Sequence, residues 1–189
     1  TLTAEGSQCA NPLLEITSGA TIRNLTITDG ACSSPNRTLL AVNNSSADLV
    51  IESNTLTGGA DAIAVTSANS AVTARYNDIT ANSGYALWWS GGSGALNLLA
   101  HNITANRAGD PMECGVGEAA VVAARKIDHN YWGGAAVPGA ATHCASTANK
   151  QLGAPIVRNA SGAGVQVARV TATTSKTFYF DNQIAVNRS

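Results

Sequence analysis

Short apolar segments recur along the chain every 23 to 29 residues, and each copy repeats the same order of apolar and polar positions. The apolar residue that opens each copy is Ile22, Ile51, Ala74, Leu99 or Ile127. Three residues later comes Leu25 in the first copy and an asparagine in the other four. A repeat of this length is one supersecondary unit, and several units in succession predict a solenoid.

A second short strand is predicted before each of the middle copies, ending at Val42, Val65 and Trp89. Alternating apolar positions followed by Ser, Asn and Gly-rich turns are typical of half-buried strands. No segment shows a helical period of any length. Coils of two or three strands stacked about 4.8 Å apart would bury one face of every strand in a continuous interior.

The recurring asparagines, Asn54, Asn77, Asn102 and Asn130, are predicted to form a ladder at a corner between two strands. Asparagine tolerates the left-handed backbone that a sharp corner requires, and stacked amides bond to one another. The same alignment stacks His101 on His129, about 5 Å apart. We expect these histidines to be corner residues rather than a metal site, because no third ligand accompanies them.

Two outward columns follow from the alternation. Arg23, Glu52 and Arg75 would stack as alternating charges, each contact contributing roughly 0.2 to 1 kcal/mol. On the second strand, the outward positions are Glu15, Ala41, Ala64 and Trp88, while Trp89 points inward.

With this repeat, the chain resembles the right-handed parallel β-helix family, which includes pectate-lyase-like enzymes and repeat domains of bacterial surface proteins. The final copy, "HNYWGG", is similar to the N-x-W-G ending of many bacterial β-helix domains. The resemblance implies that Trp132 closes the core and that Gly133 and Gly134 let the chain turn away. We therefore expect an all-β, right-handed parallel β-helix of about five coils over residues 1–134, and a C-terminal loop and β extension over 135–189.

The resemblance to the enzymes of this family implies acidic calcium ligands and a basic catalytic residue at the outward positions of the second strand. Here those positions are Glu15, Ala41, Ala64 and Trp88, and only Glu15 is ionisable. Glycoside hydrolysis would need paired acids, and no close Asp pair occurs. Asp61, Asp110 and Glu113 are the remaining candidates. We expect no catalytic residue, no cofactor and no metal.

The stretch "RKIDHNYWGG" contains Lys126, Asp128 and His129 close together. In the repeat alignment Lys126 lies in the approach to a strand, Asp128 in an outward column and His129 at a corner. We therefore interpret them as structural, since they would not converge on one pocket.

Tyr85 and Trp88 form a candidate ligand or interface surface, because an outward aromatic side chain stacks well on sugar rings or fills a protein interface. The alternative is that the long loop 105–117 covers them. Both interpretations remain open at this stage.

The tail alternates apolar residues, Val165, Val167, Phe178 and Phe180, and needs a sheet to join. It could cap its own helix, begin a following domain, or add a strand to a neighbouring molecule. In the last case, a head-to-tail contact that does not close would propagate into a filament.

Net charge is −1 and charged residues make up 12% of the chain, so no basic face for nucleic acid and no polybasic membrane patch is present. The longest apolar runs are far shorter than the roughly 20 residues of a membrane span. Because the chain begins at Thr1, we expect that a signal peptide or upstream region has been removed.

Cysteine and sequon usage favours an extracellular or cell-surface location. The four cysteines, Cys9, Cys32, Cys114 and Cys144, lack C-x-x-C spacing, and we expect local disulfides that pair the first two and the last two. Candidate glycosylation sites are Asn24, Asn36, Asn43, Asn44, Asn102, Asn159 and Asn187. The alternative is that Asn, Ser and Thr are simply abundant in a turn-rich β protein.

These features predict a secreted, non-enzymatic structural or surface module that assembles head to tail into an extracellular filament. Its partners would be copies of itself, other surface proteins or glycans. The alternative is a carbohydrate-binding or polysaccharide-degrading β-helix protein.

Overall fold

In the computed structural model, the described residues are 1–3, 12–29, 37–43, 47–66, 71–91, 94–99, 101–106, 112–114, 125–128, 130–133, 155–158, 164–167, 170–171, 175–181 and 183–187. Over these ranges the regular structure is entirely β.

The first fifteen strands are two to four residues long. They are β1 (Leu2–Thr3), β2 (Leu14–Ile16), β3 (Thr21–Arg23), β4 (Thr26–Thr28), β5 (Leu40–Val42), β6 (Leu49–Glu52), β7 (Thr55–Thr57), β8 (Ile63–Val65), β9 (Val72–Arg75), β10 (Asp78–Thr80), β11 (Leu87–Trp89), β12 (Leu96–Leu99), β13 (Asn102–Thr104), β14 (Met112–Cys114) and β15 (Arg125–Asp128).

Each strand from β1 to β12 pairs in parallel with the strand three places further along the chain. The result is three sheets of five strands, ordered β1-β4-β7-β10-β13, β2-β5-β8-β11-β14 and β3-β6-β9-β12-β15. Three strands per turn, each turn stacked on the one before, define a parallel β-solenoid. The predicted fold class is therefore confirmed.

The side chains of every strand are described in four successive turns, β1 to β3, β4 to β6, β7 to β9 and β10 to β12, and β13 to β15 extend the three sheets at one end. The sequence predicts about five coils. The stacking of the middle turns follows the predicted alignment, since Ile22 pairs with Ile51, and Ile51 with Ala74.

The interior is filled by one inward column from the first sheet and by two inward columns from each of the other two sheets. In the first sheet, Ile27, Leu56, Ile79 and Ile103 are at most 2% exposed. In the second, Val42 and Val65 align with Trp89, and all three are fully buried. Alternation along each short strand thus gives a dry core, in which each fully buried aliphatic side chain contributes about 1.5 to 3 kcal/mol.

The alignment of the fourth turn differs from the prediction by one residue. Ala74 pairs with Leu98, and Leu98 pairs with Ile127, so Leu99 is not the opening residue of its copy. The physical reason is burial: Leu98 is fully buried, whereas the Leu99 position faces outward beside Arg75. A shift of one residue would exchange these two faces.

The tail forms a separate antiparallel sheet from β16 (Ile156–Arg158), β17 (Gly164–Val167), β18 (Val170–Thr171), β19 (Ser175–Asp181) and β20 (Gln183–Asn187). Its order is β16-β17-β19-β18, with β20 on the other side of β19. The change from parallel stacking to antiparallel pairing separates this segment from the solenoid repeat.

Candidate functional site

A ladder of side chains links successive turns at the corner between the third and first sheets. Asn54 Oδ1 accepts the backbone N–H of Leu25 at 3.0 Å, and Asn77 Oδ1 accepts that of Asn54 at 2.8 Å. Each amide also donates backwards, from Asn54 Nδ2 to the carbonyl of Ile22 and from Asn77 Nδ2 to that of Ile51. Every asparagine thereby satisfies a buried donor and a buried acceptor of the preceding turn.

His101 occupies the next position of this ladder, so the prediction of Asn102 there is wrong. The Nδ1 atom of its ring accepts the backbone N–H of Asn77 at 3.1 Å. The backbone N–H of His101 donates to Asn130 Oδ1 at 2.8 Å. Asn102 instead lies on the outer face, where its amide donates to Asp78. The cause is the one-residue shift of the fourth turn.

The same shift removes the predicted histidine pair. His101 is followed in the ladder by Asn130 rather than by His129, which lies outside the described residues. Within the described part of the chain, no group of three or more His, Cys, Asp or Glu side chains is arranged to hold a metal ion.

The left-handed corner residue is not the asparagine itself, contrary to the prediction. Positive φ angles occur one position earlier, at Asn24 (57°), Ser53 (56°) and Tyr76 (58°). Two successive residues thus form the corner. The first adopts the left-handed conformation that turns the chain, and the side chain of the second hydrogen-bonds to the neighbouring turn. Serine and tyrosine adopt this conformation at some conformational cost.

A second ladder, which the sequence reasoning missed, links the turns at the corner after the first sheet. Asn82 Oδ1 accepts the N–H of Gly59 at 3.0 Å, and Asn106 Oδ1 accepts that of Asn82 at 3.2 Å. Asn82 Nδ2 donates to Leu56 and Asn106 Nδ2 to Ile79, which repeats the pattern of the first ladder. The twofold occurrence of "ITAN", at 79–82 and 103–106, is the signal that reveals it.

Acidic side chains of the solenoid bond to the next turn. Glu52 pairs with the Arg75 guanidinium at 2.7 Å, as the predicted alternating charge column requires. Asp61 Oδ1 accepts the N–H of Tyr85 at 2.7 Å, and Asp48 Oδ1 accepts that of Ala71 at 3.2 Å. These carboxylates act as links between turns.

Tyr76 lies beside this charge column. The Arg75 guanidinium carbon is 5.7 Å from the centre of its ring. Burial raises the pKa of the Tyr76 hydroxyl; Arg75 opposes the rise and Glu52 adds to it. The neutral phenol is therefore the form that the corner favours.

A buried ion pair joins Asp29 to Arg37, with 3.1 Å between the guanidinium and the carboxylate. Their side chains are 3% and 4% exposed. Loss of one partner would leave the other charge buried, which typically costs about 3 to 5 kcal/mol. This pair holds the approach to β5 against the end of β4.

The predicted aromatic surface lies on the outer side of the second sheet. Trp88 is half-buried in the outward column with Ala41 and Ala64, and its β14 register partner is Glu113. Tyr85 is also half-buried. Trp89 points inward and is fully buried, as predicted. Trp88 therefore presents part of its ring next to Ala64, which is 3% exposed.

The remaining catalytic candidates do not gather at one place in the described structure. Asp61 is engaged by the backbone of Tyr85, and Asp110 lies outside the described residues. Lys126 and Asp128 belong to β15, where they pair in register with Asn97 and Leu99. Ile127, between them, is 1% exposed and belongs to the core.

Trp132 is 4% exposed and belongs to the core cluster, at the end predicted from the N-x-W-G pattern. Gly133 follows with a φ of 63°, and a Cβ there would lie 2.8 Å from the Thr104 side chain. A glycine is therefore required at this position. Gly134 lies outside the described residues.

Three of the four cysteines, Cys9, Cys32 and Cys144, lie outside the described residues, and Cys114 is described only as part of β14. Their pairing stays a prediction. Among the sequon asparagines, Asn24 and Asn43 are exposed, and Asn102 is half-buried with its amide bound to Asp78. Asn187 ends β20; Asn36, Asn44 and Asn159 lie outside the described residues.

Val165 and Val167 lie in β17, and Phe178 and Phe180 in β19. β17 pairs with β16 and β19, and β19 pairs with β17, β18 and β20. Both strands therefore have partners on two sides within the chain. Neither offers the free strand that the predicted addition to a neighbouring subunit requires.

The fold and the two ladders define the class of this protein as a parallel β-solenoid whose turns are joined by buried side-chain amides. Comparison of the chain with protein-family models, curated proteins and solved structures finds no significant match. Among the described residues no helix is long and apolar enough to cross a membrane.

Proposed function

We propose that the chain is a non-enzymatic structural module of an extracellular or cell-surface protein. The observation that supports this most is the use of its polar residues between turns. Glu15, Asp48, Glu52, Asp61 and Asp78 each bond to a group of the following turn. Carboxylates that bond to the neighbouring turn hold the turns together, as a rigid scaffold requires.

The proposed extracellular or cell-surface location is supported by exposed asparagines that begin sequons. Asn24 and Asn43, each the first residue of a sequon, are exposed and accessible to glycosylation. The predicted disulfides, Cys9 to Cys32 and Cys114 to Cys144, would also require an oxidising compartment. The finer relationship, to right-handed bacterial surface proteins with an N-x-W-G ending, is part of this proposal.

Assembly with copies of itself, or with other surface proteins, remains part of the proposal in altered form. Because β17 and β19 have partners on both sides, a joining strand would have to come from an edge of the tail sheet, at β16, β18 or β20. An edge strand offers unpaired backbone groups to a neighbour. Electron microscopy of the full chain distinguishes filaments from single particles.

The test of the structural role combines stability with activity. Asp61→Asn replaces the half-buried carboxylate that accepts the backbone N–H of Tyr85, so it should lower Tm. Glu15→Gln, in an exposed bond to Asn43, is the matched control and should have a smaller effect. The chain should release no product from acidic or neutral polysaccharides, with or without calcium.

A polysaccharide-cleaving activity that disappears in Asp61→Asn while Tm stays unchanged would show instead that this carboxylate is catalytic. The proposal of a non-enzymatic module would then be wrong.

Glycan binding is the second candidate, and the partly exposed ring of Trp88, in one outward column with the small residues Ala64 and Ala41, favours it. An aromatic face next to small side chains accommodates a sugar ring. Trp88→Ala should abolish retention on an oligosaccharide array without lowering Tm. Retention unchanged by this substitution would place any glycan site elsewhere.

A further inference from the structure

Asn24 lies at the first corner, between β3 and β4, and begins the sequon Asn24-Leu25-Thr26. It is exposed, and its φ angle of 57° is a left-handed conformation that asparagine adopts more readily than most residues. Its backbone N–H donates to the carbonyl of Glu52 at 3.3 Å. Among the described residues its side-chain amide has no hydrogen-bond partner, so a substituent on the amide nitrogen disturbs no contact of the described fold.

The other sequon asparagines with described side chains use their amides to join turns. Asn43 Nδ2 donates to Glu15 at 3.1 Å. Asn102 is half-buried, and its amide donates to Asp78, its register partner in the preceding turn. A sugar on either nitrogen would crowd a bond between turns, whereas a sugar on Asn24 crowds none that the structure describes.

Leu25 follows Asn24 and is 36% exposed, the only exposed large apolar residue in the part of the chain that the structure describes. The equivalent residues of the next two turns, Asn54 and Asn77, are fully buried. The exposed apolar side chain is therefore next in the chain to the exposed amide, within reach of the first sugar of a glycan on Asn24.

We propose that Asn24 carries an N-linked oligosaccharide whose first sugar covers Leu25. The sugar ring has apolar C–H faces, and their contact with the leucine side chain removes apolar surface of both from water. The inference rests on the proposed extracellular or cell-surface location, because a chain meets the sugar donor only on the secretory route.

The donor is an oligosaccharide joined through its anomeric carbon to a polyprenyl diphosphate. The Asn24 side-chain nitrogen forms a bond to that carbon, the bond from the carbon to the diphosphate oxygen breaks, and one amide proton is released. The step is a group transfer without oxidation or reduction. Thr26 supplies the hydroxyl that the sequon requires, and it lies half-exposed on β4.

Transfer takes place on the emerging chain, so the fold decides which modified chains reach the native state. A chain with a sugar on Asn102 would fold against a crowded bond to Asp78. A chain with a sugar on Asn24 keeps the backbone bonds that hold its corner to the following turn. Occupancy in the folded protein should therefore be higher at Asn24 than at Asn102.

The test secretes the full chain from a eukaryotic cell line, whose own lipid-linked oligosaccharide is the probe. Peptide N-glycosidase in heavy-oxygen water converts each occupied asparagine to a mass-labelled aspartate, which peptide mass spectrometry locates. Asn24 should be labelled in most folded chains, and at higher occupancy than Asn43 and Asn102. Thr26→Val keeps the branched shape and removes the hydroxyl, so it should abolish the label at Asn24. Thr26→Ser is the matched control and should retain it.

Circular dichroism melting tests whether the sugar covers Leu25. The gain in Tm from Thr26→Val to Thr26→Ser should be larger by roughly 2 to 4 °C with Leu25 present than in a Leu25→Ser background, which keeps the sequon. The direct effect of the Thr26 substitutions is the same in both backgrounds and cancels. Equal gains would overturn the covering contact.

An Asn24 without label in folded, secreted chains would overturn the proposal, and so would a higher occupancy at Asn43 or Asn102. Secretion of a folded chain without that label would leave the extracellular module standing. Polysaccharide cleavage by a chain labelled at Asn24 would instead refute the non-enzymatic module and leave the glycan in place.

Discussion

The Nδ1 atom of His101 accepts the backbone N–H of Asn77 at 3.1 Å, in the position where the preceding turn uses the amide oxygen of Asn77 itself. An imidazole therefore replaces an amide in the ladder. This requires the neutral tautomer that carries its proton on Nε2. One contact thus sets the register of the fourth turn.

Replacement of His101 should reveal what the ladder contributes. His101→Ala leaves the buried N–H of Asn77 without its acceptor, which should lower the free energy of unfolding by about 1 to 3 kcal/mol. His101→Asn restores an amide that can also donate to the Ala74 carbonyl, as Asn77 donates to Ile51. Its stability should stay within about 1 kcal/mol of the wild type in urea denaturation.

The corner after the first sheet offers a matched test of backbone strain. Gly58 and Ala81 both have positive φ angles, of 77° and 55°, at this corner of successive turns. Ala81→Gly should stabilise the fold by about 0.5 to 1 kcal/mol, because glycine adopts this conformation freely. Gly58→Ala should destabilise it by about 1 to 2 kcal/mol, since the space is open but the conformation is not.

These two changes are read out by thermal unfolding. Opposite signs are expected because the corner requires the same conformation in both turns. If both substitutions shifted Tm in the same direction, packing rather than backbone conformation would control the corner.

Two adjacent tryptophans should differ sharply in their contribution to stability. Trp89 is fully buried in the core, so Trp89→Ala should cost about 3 to 5 kcal/mol. Trp88, half-buried on the outer face, should cost less than about 1 kcal/mol when replaced by alanine. Equal losses in urea denaturation would mean that Trp88 is also part of the packed interior.

The repeat predicts the fold well because two features of the sequence reflect packing: the spacing of the repeat and the alternation of apolar residues within each strand. The opening residues Ile22, Ile51 and Ala74 recur at the length of one turn, and strict alternation around Val42, Val65 and Trp89 marks buried strands. Burial then enforces the same register in the structure. Glu52 and Arg75 meet for the same reason.

The fourth turn shows where such reasoning fails. Matching Asn102 to the other asparagines aligns residue types, whereas the fold aligns hydrogen-bond acceptors, and His101 supplies one. The repeated "ITAN" gives the correct register, since Ile79 pairs with Ile103. The second ladder escapes notice because its first member is Gly59, which takes part only through its backbone.

The most direct test of the account is a through-hydrogen-bond nitrogen–nitrogen coupling measured by NMR on the ¹⁵N-labelled chain. The structure predicts a coupling between the backbone nitrogen of Asn77 and Nδ1 of His101, because this rung joins two nitrogen atoms. It should vanish in His101→Asn while the neighbouring amide resonances persist. Absence of the coupling in the folded wild type, with the Asn77 amide bonded instead to the side chain of Asn102, would contradict the register on which the ladders depend.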